Sequence, residues 1–252
     1  MKYDFTTVYK RYGCGSGKWD EMQRENPNVG EDVIPFSVAD MEFVEAPEIV
    51  EGLKAFLDTT VLGYANATDS YKEAVCAWMK KRHNWDAKPE WILPSHGVVD
   101  AFFSAIKCYT NEGDGVMLLT PVYYPMYIGI KVNNRVLVDC PLVERGDTYE
   151  IDFEDFEKKA REVKIFLLCS PHNPLGIVWS REDLQRMADI CIANDVLLVS
   201  DEIHSDLIFH GRKHIPTATL SPEIAGKVIS CVSATKTFNL AGLQASTTIF
   251  PN

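Results

Sequence analysis

KIFLLCSPHNPLG, residues 164–176, is the stretch from which the fold is predicted. Its apolar part, residues 165–169, is continuous rather than alternating, which is typical of a strand buried on both faces of a parallel sheet. The turn that follows is rich in proline and asparagine, residues that favour tight turns. Similar apolar runs occur at residues 116–119, 196–199 and 228–232.

Helices are predicted between and before these runs, at about residues 46–57, 70–82, 98–109, 152–161 and 181–193, with another beginning near 123–125. Two shorter apolar segments, at 91–93 and 135–138, predict further strands. Strands that alternate with helices form a mostly parallel sheet with helices on both faces. We therefore predict a three-layer α/β/α fold, preceded by an irregular N-terminal arm over residues 1–45.

Composition narrows the class of protein. The 252 residues carry a net charge of −11 and an isoelectric point near 5.0, which argue against nucleic acid or an anionic membrane as the main partner. We find no apolar stretch long enough to cross a bilayer, and the N-terminus lacks the apolar core of a signal peptide. The seven cysteines are scattered and form no C-x-x-C pair, so we expect free thiols in a reducing cytoplasm.

Polar and ionisable residues follow four of the predicted strands. In open α/β sheets, ligands bind outside the carboxyl ends of the strands, so these residues are expected to line one crevice. They lie in the segments Ser95–Gly97, Ser170–Gly176, Asp201–Asp206 and Ser233–Lys236.

Lys236 is the most unusual member of this set. It lies just after the run at 228–232, near alanine, phenylalanine and leucine, where a strongly hydrated lysine is seldom found without a partner. Desolvation in a partly apolar pocket frees the nucleophilic form of an amine, as Schiff-base chemistry requires. A surface lysine on an ordinary loop explains the same sequence, and short motifs often match by chance.

The other segments also have ordinary explanations. Asn173 between two prolines can form a tight turn, and Asp201 with Glu202 can be solvated charge at the start of a loop. His204 can be a buried, hydrogen-bonded histidine, and Ser95–Gly97 can be only a helix cap. The occurrence of all four segments in this order, each at a strand end, favours a common site.

Three other motifs are rejected. The glycine-rich segment 13–19 is not a phosphate-binding loop, because no serine or threonine follows its lysine and no strand precedes it. His204, His210 and His214 match no common metal-ligand spacing, so no metal is predicted. A plain nucleotide-binding protein is disfavoured, because no glycine-rich dinucleotide turn follows any predicted strand.

Several segments together carry a family resemblance. SPHNPLG at 170–176, DEIHSD at 201–206 and SATKTFNLAG at 233–242 resemble the fold-type I pyridoxal-phosphate enzymes of the class I/II aminotransferase superfamily. They look like one branch in particular, the cystathionine β-lyase-like carbon–sulfur lyases, which includes the maltose-regulon modulator type. KWD at 18–20 and VADMEF at 38–43 are similar to N-terminal segments of that branch, so the resemblance covers nearly all of the chain.

The resemblance implies roles around the ring of the cofactor, pyridoxal 5'-phosphate. Lys236 would form the Schiff base and then move the Cα proton of the substrate. Asp201 would pair with the pyridine nitrogen, because a nearby carboxylate favours the protonated ring that accepts electrons. Asn173 and His204 would hydrogen-bond the phenolic oxygen, although many relatives have tyrosine in place of His204. Tyr123 would stack on the ring face.

The resemblance also implies a phosphate site. Backbone N–H groups of Gly97 and Val98, with the hydroxyl of Ser233, would hold the phosphate. A helix N-terminus suits this role independently, because it presents N–H donors and a favourable dipole. Tyr64 matches a residue that reaches the phosphate site of the neighbouring subunit, so a homodimer is implied.

Two departures from the family pattern matter. Gln244 stands where many aminotransferases have a phosphate-binding arginine, and a neutral amide forfeits the charge-assisted contact. Family members also continue past residue 252 into a small C-terminal domain, which carries the arginine for the substrate carboxylate. We therefore expect residues 1–45 to be the N-terminal arm with part of the small domain, and residues 46–252 to be an incomplete cofactor-binding large domain.

The expected function is that of a pyridoxal-phosphate-dependent carbon–sulfur β-lyase. Its substrate would be a sulfur amino acid such as cystathionine, which β-elimination converts to a thiol, pyruvate and ammonia. An amino-acid aminotransferase is the first alternative, because the cofactor-site motifs do not separate the two activities. A non-catalytic, cofactor-binding regulatory protein is the alternative from another class, and the truncation favours inactivity of this chain.

Overall fold

The computed structural model describes residues 2–209 and 211–251. In these residues the strands are β1 (Ile92–Ser95), β2 (Gly115–Thr120), β3 (Val136–Pro141), β4 (Val143–Arg145), β5 (Thr148–Glu150), β6 (Val163–Cys169), β7 (Leu197–Asp201), β8 (Val228–Val232) and β9 (Ser246–Ile249). The α-helices are α1 (Trp19–Glu25), α2 (Pro47–Thr59), α3 (Asp69–His83), α4 (Val98–Tyr109), α5 (Tyr124–Val132), α6 (Phe153–Ala160), α7 (Arg181–Ala193), α8 (Pro222–Ala225) and α9 (Ala234–Thr237).

The chain divides into two compact units. One comprises Met1–Ala65 with Phe238–Gly242, and the other comprises Asn66–Thr237 with Leu243–Asn252. The central sheet and helices α3 to α9 belong to the second unit. The predicted division at residue 45, into an arm and a large domain, stays a prediction.

The sheet is mostly parallel, as predicted. Its strand order in the described residues is β1-β9-β8-β7-β6-β2-β3. The five strands from β8 to β3 are parallel to one another, whereas β9 runs antiparallel to both β8 and β1. Strand β1 therefore has the same direction as the parallel strands, and the carboxyl ends of all six lie at one edge. The α/β fold is confirmed.

Two hydrophobic clusters lie on the opposite faces of this sheet. Phe166 and Leu168 of β6 belong to one cluster, which includes residues of α6 and α7. Ile165 and Leu167 of the same strand belong to the other, which includes residues of α4 and α5. Successive residues of a strand point to opposite faces, so a continuous apolar run buries side chains on both faces of the sheet. Burial of each large apolar side chain contributes ~1.5–3 kcal/mol, and the three layers follow from this double burial.

Every predicted strand and helix is present, with ends shifted by a few residues at most. The features that were not predicted include helix α1 in the supposedly irregular arm, the short helices α8 and α9, the two-stranded sheet β4–β5, and the antiparallel strand β9. The expectation that residues 1–45 are wholly irregular is wrong. Helix α1 has seven residues and buries only Trp19, so it shows no helical periodicity in the sequence.

A buried ion cluster lies in the first unit. The Lys18 side chain is 2% exposed, and its Nζ lies 2.9 Å from Asp40 Oδ1 and 2.9 Å from Glu42 Oε1. Trp19 Nε1 donates to Glu42 Oε1 at 3.0 Å. Buried charges require such pairing, so these contacts join the two N-terminal segments, 18–20 and 38–43, on which the family resemblance partly rests.

Two negative findings apply to the described part of the chain. No helix in it combines the length and apolarity needed to cross a membrane. It also contains no group of three or more acidic, histidine or cysteine side chains arranged to hold a metal ion. His210, one of the three histidines considered for a metal site, lies outside the described residues.

Candidate active site

Asp201 occupies the centre of the sheet edge. It is the last residue of β7 and is the register partner of Cys169 on β6 and of Cys231 on β8. The residue is 3% exposed, and the backbone N–H of Ile203 donates to its Oδ1 at 3.2 Å. Burial raises the pKa of Asp201 to about 7, although the Ile203 donor and the charge of Lys236 oppose the shift. A desolvated carboxyl of this kind is suited to a positively charged partner.

Lys236 lies close enough to influence two other predicted site residues. It is on the one-turn helix α9, which follows β8. Its charge lowers the pKa of Asp201, opposing the effect of burial. The pKa of His204 is lowered first by burial and then by the charge of Lys236. The structure therefore brings Lys236, Asp201 and His204 into one electrostatic neighbourhood.

Tyr123 belongs to the same neighbourhood. It precedes α5, and its ring centroid lies 5.6 Å from that of Tyr124. Burial raises the pKa of the Tyr123 phenol, and Tyr124, Asp201 and Cys169 raise it further. The interactions with Asp201 and Cys169 place the phenol near the ends of β7 and β6.

Asn173 lies in the turn after β6. Its backbone N–H donates to Cys169 Sγ at 3.3 Å, and His172 Nε2 lies 2.8 Å from the carbonyl oxygen of Pro121. These contacts hold the turn against the sheet edge. Asn173 and His204 both line a cavity of about 650 Å³, so the two residues predicted to contact one oxygen of the cofactor share a cavity.

The predicted phosphate residues lie at the same edge. Gly97 has a φ of +88° and precedes α4, whose first residue, Val98, is buried. Ser95, two residues earlier, pairs with Ser246 at the start of β9, their hydroxyl oxygens 2.7 Å apart. The Ser233 hydroxyl donates to the Ala245 carbonyl at 2.7 Å, so it already has a protein partner.

The N-terminus of α4 has the character of an anion site. Gly97 has no side chain with which to cap the helix, and the first N–H groups of a helix have no partner within it. Those donors and the helix dipole favour a bound anion.

Gln244, in the turn before β9, has a φ of +49°.

Tyr64 belongs to the first compact unit, whereas the other predicted site residues belong to the second. Its side chain is fully exposed.

A group of buried polar residues that was not predicted from the sequence lies beside the site. Glu202 is 1% exposed and accepts from Ser200 Oγ at 2.9 Å and from the Thr217 N–H at 3.0 Å. Its Oε2 lies 3.0 Å from His214 Nε2. Burial would raise the pKa of Glu202, but the charge of His214 and these donors outweigh it and lower the pKa. The interpretation of Asp201 and Glu202 as solvated charge is therefore wrong.

Asp206 is a second missed acid. Trp78 Nε1 donates to its Oδ2 at 2.8 Å, and Thr237 Oγ1 donates to the same oxygen at 2.9 Å. Arg82 Nε donates to Oδ1 at 3.1 Å. The only sequence signal was that a third acidic residue closes the segment 201–206, since the partners of Asp206 are distant in the chain.

Comparison of the chain with known protein families identifies the family to which it belongs. Residues 31–248 match the family model described as aminotransferase class I and II. This chain belongs to that family, and the resemblance inferred from the sequence motifs is confirmed.

The chain is also similar to individual proteins of known name or structure. The chain is 44% identical, over 99% of its length, to cystathionine beta-lyase PatB of Bacillus subtilis, and 31% identical, over 99%, to protein MalY of Escherichia coli. It superimposes with a TM-score of 0.97 and 47% identity, over 100% of its length, on cystalysin from Treponema denticola, a structure described as containing a pyridoxal 5'-phosphate cofactor. The chain spans 64% of the length of each of these three proteins.

Proposed function

We propose that this chain forms the cofactor-binding part of a pyridoxal-phosphate-dependent carbon–sulfur β-lyase, acting on a sulfur amino acid such as cystathionine. The observation that carries the proposal is the buried Asp201 carboxyl at the end of β7, beside strand β8, whose following turn carries Lys236. The charge of Lys236 also acts on the pKa of Asp201. The names of its relatives support the same activity, including a carbon–sulfur lyase from Staphylococcus hominis that superimposes with a TM-score of 0.91 and 33% identity over 99% of this chain and 63% of that one.

The residues present fit pyridoxal 5'-phosphate. The desolvated Asp201 suits a protonated ring nitrogen, since an adjacent cation favours the ionised carboxylate. Asn173 and His204, which share a cavity, suit the ring oxygen. The N-terminus of α4 suits the phosphate. When bound, the cofactor supplies an electron sink for the negative charge that develops at the substrate Cα.

The side chains of this chain would then divide the work. Lys236 would hold the cofactor and later take the proton from the substrate Cα. Asp201 would keep the proton on the ring nitrogen. His204, whose pKa is lowered by burial and by Lys236, is neutral at pH 7 and would hydrogen-bond the ring oxygen without adding charge. Tyr123 would cover the ring face and exclude water from it.

An aminotransferase is the second candidate. The family model favours it, as does 34% identity over 170 residues to human kynurenine–oxoglutarate transaminase 3, which covers 64% of this chain and 37% of that protein. Full-length protein given cystathionine separates the two: a lyase releases pyruvate without a keto-acid acceptor, whereas an aminotransferase consumes one. The non-catalytic, regulatory alternative predicts neither reaction.

The proposal includes a cytoplasmic homodimer in which Tyr64 reaches the phosphate site of the neighbouring subunit. All seven cysteines lie in the described residues and are free thiols, which supports a reducing compartment. Four large side chains of the first unit, Phe36, Val61, Leu62 and Tyr64, are each at least 76% exposed. Contiguous exposed apolar side chains are typical of a contact surface, and Val61, Leu62 and Tyr64 are neighbours along the chain.

Covalent capture of the cofactor tests the proposal. Pyridoxal 5'-phosphate is added to the chain, the complex is reduced with borohydride, and the modified peptide is identified by mass spectrometry. We expect modification at Lys236 and its loss in Lys236→Ala. Lys227→Ala is the matched control, because Lys227 precedes the same strand β8 at its other end and forms an exposed ion pair with Asp195. Equal modification of wild type and Lys236→Ala would contradict the proposal.

A further inference from the structure

The Asp206 carboxylate connects helix α3 to the turn that carries Lys236. On the α3 side, Trp78 Nε1 donates to Oδ2 at 2.8 Å, and Arg82 Nε donates to Oδ1 at 3.1 Å. His83 Nε2 also lies 3.1 Å from Oδ1. On the other side, Thr237 Oγ1 donates to Oδ2 at 2.9 Å. One carboxylate therefore has contacts with three residues of a long helix and with the immediate neighbour of the lysine.

This carboxylate is buried and charged. The Asp206 side chain is 5% exposed. Burial would raise its pKa, but His83, Trp78, Arg82 and Thr237 outweigh that effect and hold the pKa well below its usual range. Because the carboxylate stays ionised near neutral pH, the hydrogen bond from Thr237 to Asp206 does not depend on pH there. A hydrogen bond to a charged acceptor is also stronger than one between neutral groups.

The turn that carries Lys236 needs such an anchor. Helix α9 has only four residues, too few for a helix that is stable by itself. At its start, the Ser233 hydroxyl accepts from the Thr235 N–H at 3.0 Å and donates to the Ala245 carbonyl at 2.7 Å. At its end, the Thr237 hydroxyl binds Asp206. Lys236 lies between these two anchored positions.

We propose that Asp206 is a positioning residue for Lys236 and acts through the hydroxyl of Thr237. The proposal rests on the proposed function, in which Lys236 holds the cofactor. Asp206 fixes the direction from which the lysine amine meets the cofactor aldehyde, with the long helix α3 as the support. A reacting group misplaced by about 1 Å can lose ~100-fold in rate, so loss of one anchor should slow capture by ~10-fold.

The test compares variants that remove different donors from the same carboxylate oxygen. Thr237→Val removes the donor next to the lysine and keeps the side-chain shape, and Thr237→Ser retains the hydroxyl. Trp78→Phe removes the other donor to Oδ2, on α3, while Arg82 and His83 of the same helix still contact Oδ1. Asp206→Asn tests the acceptor itself. The readouts are the rate of borohydride-trappable capture of added pyridoxal 5'-phosphate and the pH midpoint of the visible absorption band of the loaded protein.

We expect Thr237→Val and Asp206→Asn each to slow capture by ~10-fold and to shift the pH midpoint, whereas Thr237→Ser and Trp78→Phe stay within about twofold of wild type. The double variant Thr237→Val with Asp206→Asn should be no slower in capture than either single variant, because both substitutions break the same contact between Thr237 and Asp206. Thermal unfolding checks that each variant is folded. If valine is not tolerated, Thr237→Ala removes the same hydroxyl.

Two results would overturn the inference. One is capture by Thr237→Val at the wild-type rate with an unchanged pH midpoint. The other is an equal defect in Trp78→Phe, which would give Asp206 a purely structural role. Both leave the proposed function intact as long as wild-type capture depends on Lys236. Capture that persists in Lys236→Ala would instead refute the proposed function, and this inference with it.

Discussion

Asp201 and Cys231 are register partners at the ends of the adjacent parallel strands β7 and β8, and the turn that carries Lys236 begins just after β8. This register places the predicted acid and the predicted amine at the same sheet edge. The consequence is electrostatic, because the charge of Lys236 lowers a pKa that burial raises to about 7.

The first prediction concerns Asp201 and pH. Its ordinary pKa is 3.8 and its folded value is about 7, so between these values the folded protein holds a proton that the unfolded chain has lost. Stability of the cofactor-free protein should therefore fall as pH rises through this window, by up to roughly 4 kcal/mol from this group. Asp201→Asn removes this titrating group, so the free energy of unfolding of the variant should increase relative to that of the wild type as pH rises. Urea unfolding from pH 4 to 8 measures the difference, and a constant difference would contradict the raised pKa.

The second prediction concerns His204. His204→Tyr retains a hydrogen-bond donor for the ring oxygen of the cofactor, whereas His204→Phe retains none. Since one hydrogen bond contributes ~0.5–1.5 kcal/mol, the phenylalanine variant should bind pyridoxal 5'-phosphate about 2- to 10-fold more weakly than the tyrosine variant. Titration followed by visible absorption gives both dissociation constants. Equal affinities would contradict the proposal that a donor at position 204 bonds the ring oxygen.

The third prediction concerns the start of α4. Gly97 has a φ of +88°, and a Cβ added there would meet no heavy atom within 4 Å. Any cost of Gly97→Ala therefore comes from the backbone, and we expect a loss of ~1–2 kcal/mol in stability together with weaker cofactor binding.

Gly52→Ala is the matched control for this substitution. Gly52 lies within α2, and a Cβ there also meets no heavy atom within 4 Å. The same change should stabilise the protein by ~0.5–1 kcal/mol, because alanine favours helix. Opposite signs in urea unfolding would support the backbone argument, and a neutral Gly97→Ala would refute it.

The fourth prediction concerns Glu202. The charge of His214 and the hydrogen-bond donors lower the pKa of Glu202 in the folded protein, despite burial. The ionised carboxylate therefore contributes to the free energy of unfolding above the ordinary pKa of 4.5. That contribution is lost as pH falls through the pKa of the folded state. Glu202→Gln should cost about 2–3 kcal/mol at pH 7 and less in acid. Glu157 of α6 forms an exposed pair with Arg161, just after the helix, and Glu157→Gln should cost only about 0.3–0.5 kcal/mol. A loss for Glu202→Gln that is equal at pH 7 and pH 3.5 would show that the charge contributes nothing.

The fold was largely predictable because its signals are local. A strand buried on both faces needs an unbroken apolar run, and β6 and β8 supply one each. Strand β9 escaped prediction because it has four residues and contains serine and threonines, whose pairing with β1 and β8 depends on residues far away in the sequence. Helix α1 escaped because seven residues are too few to show a period.

The site was predictable only in its outline. Motifs at strand ends singled out Lys236, Asp201, Asn173 and His204, since parallel strands bring their carboxyl ends together. The partners of the acids had no such signal: Trp78 is 128 residues from Asp206 in the chain, yet donates to it at 2.8 Å.

By itself, the sequence determined the succession of the parallel strands and the longer helices along the chain, the mostly parallel sheet and the residues placed at its edge, because apolar periodicity and turn residues act over short distances along the chain. Only the tertiary structure decided that Asp201 and Glu202 are both buried, that burial raises the pKa of the first while His214 lowers that of the second, and that Asp206 is linked to the neighbour of Lys236. The physical reason is that desolvation and hydrogen bonding depend on which distant residues surround a group in the folded chain.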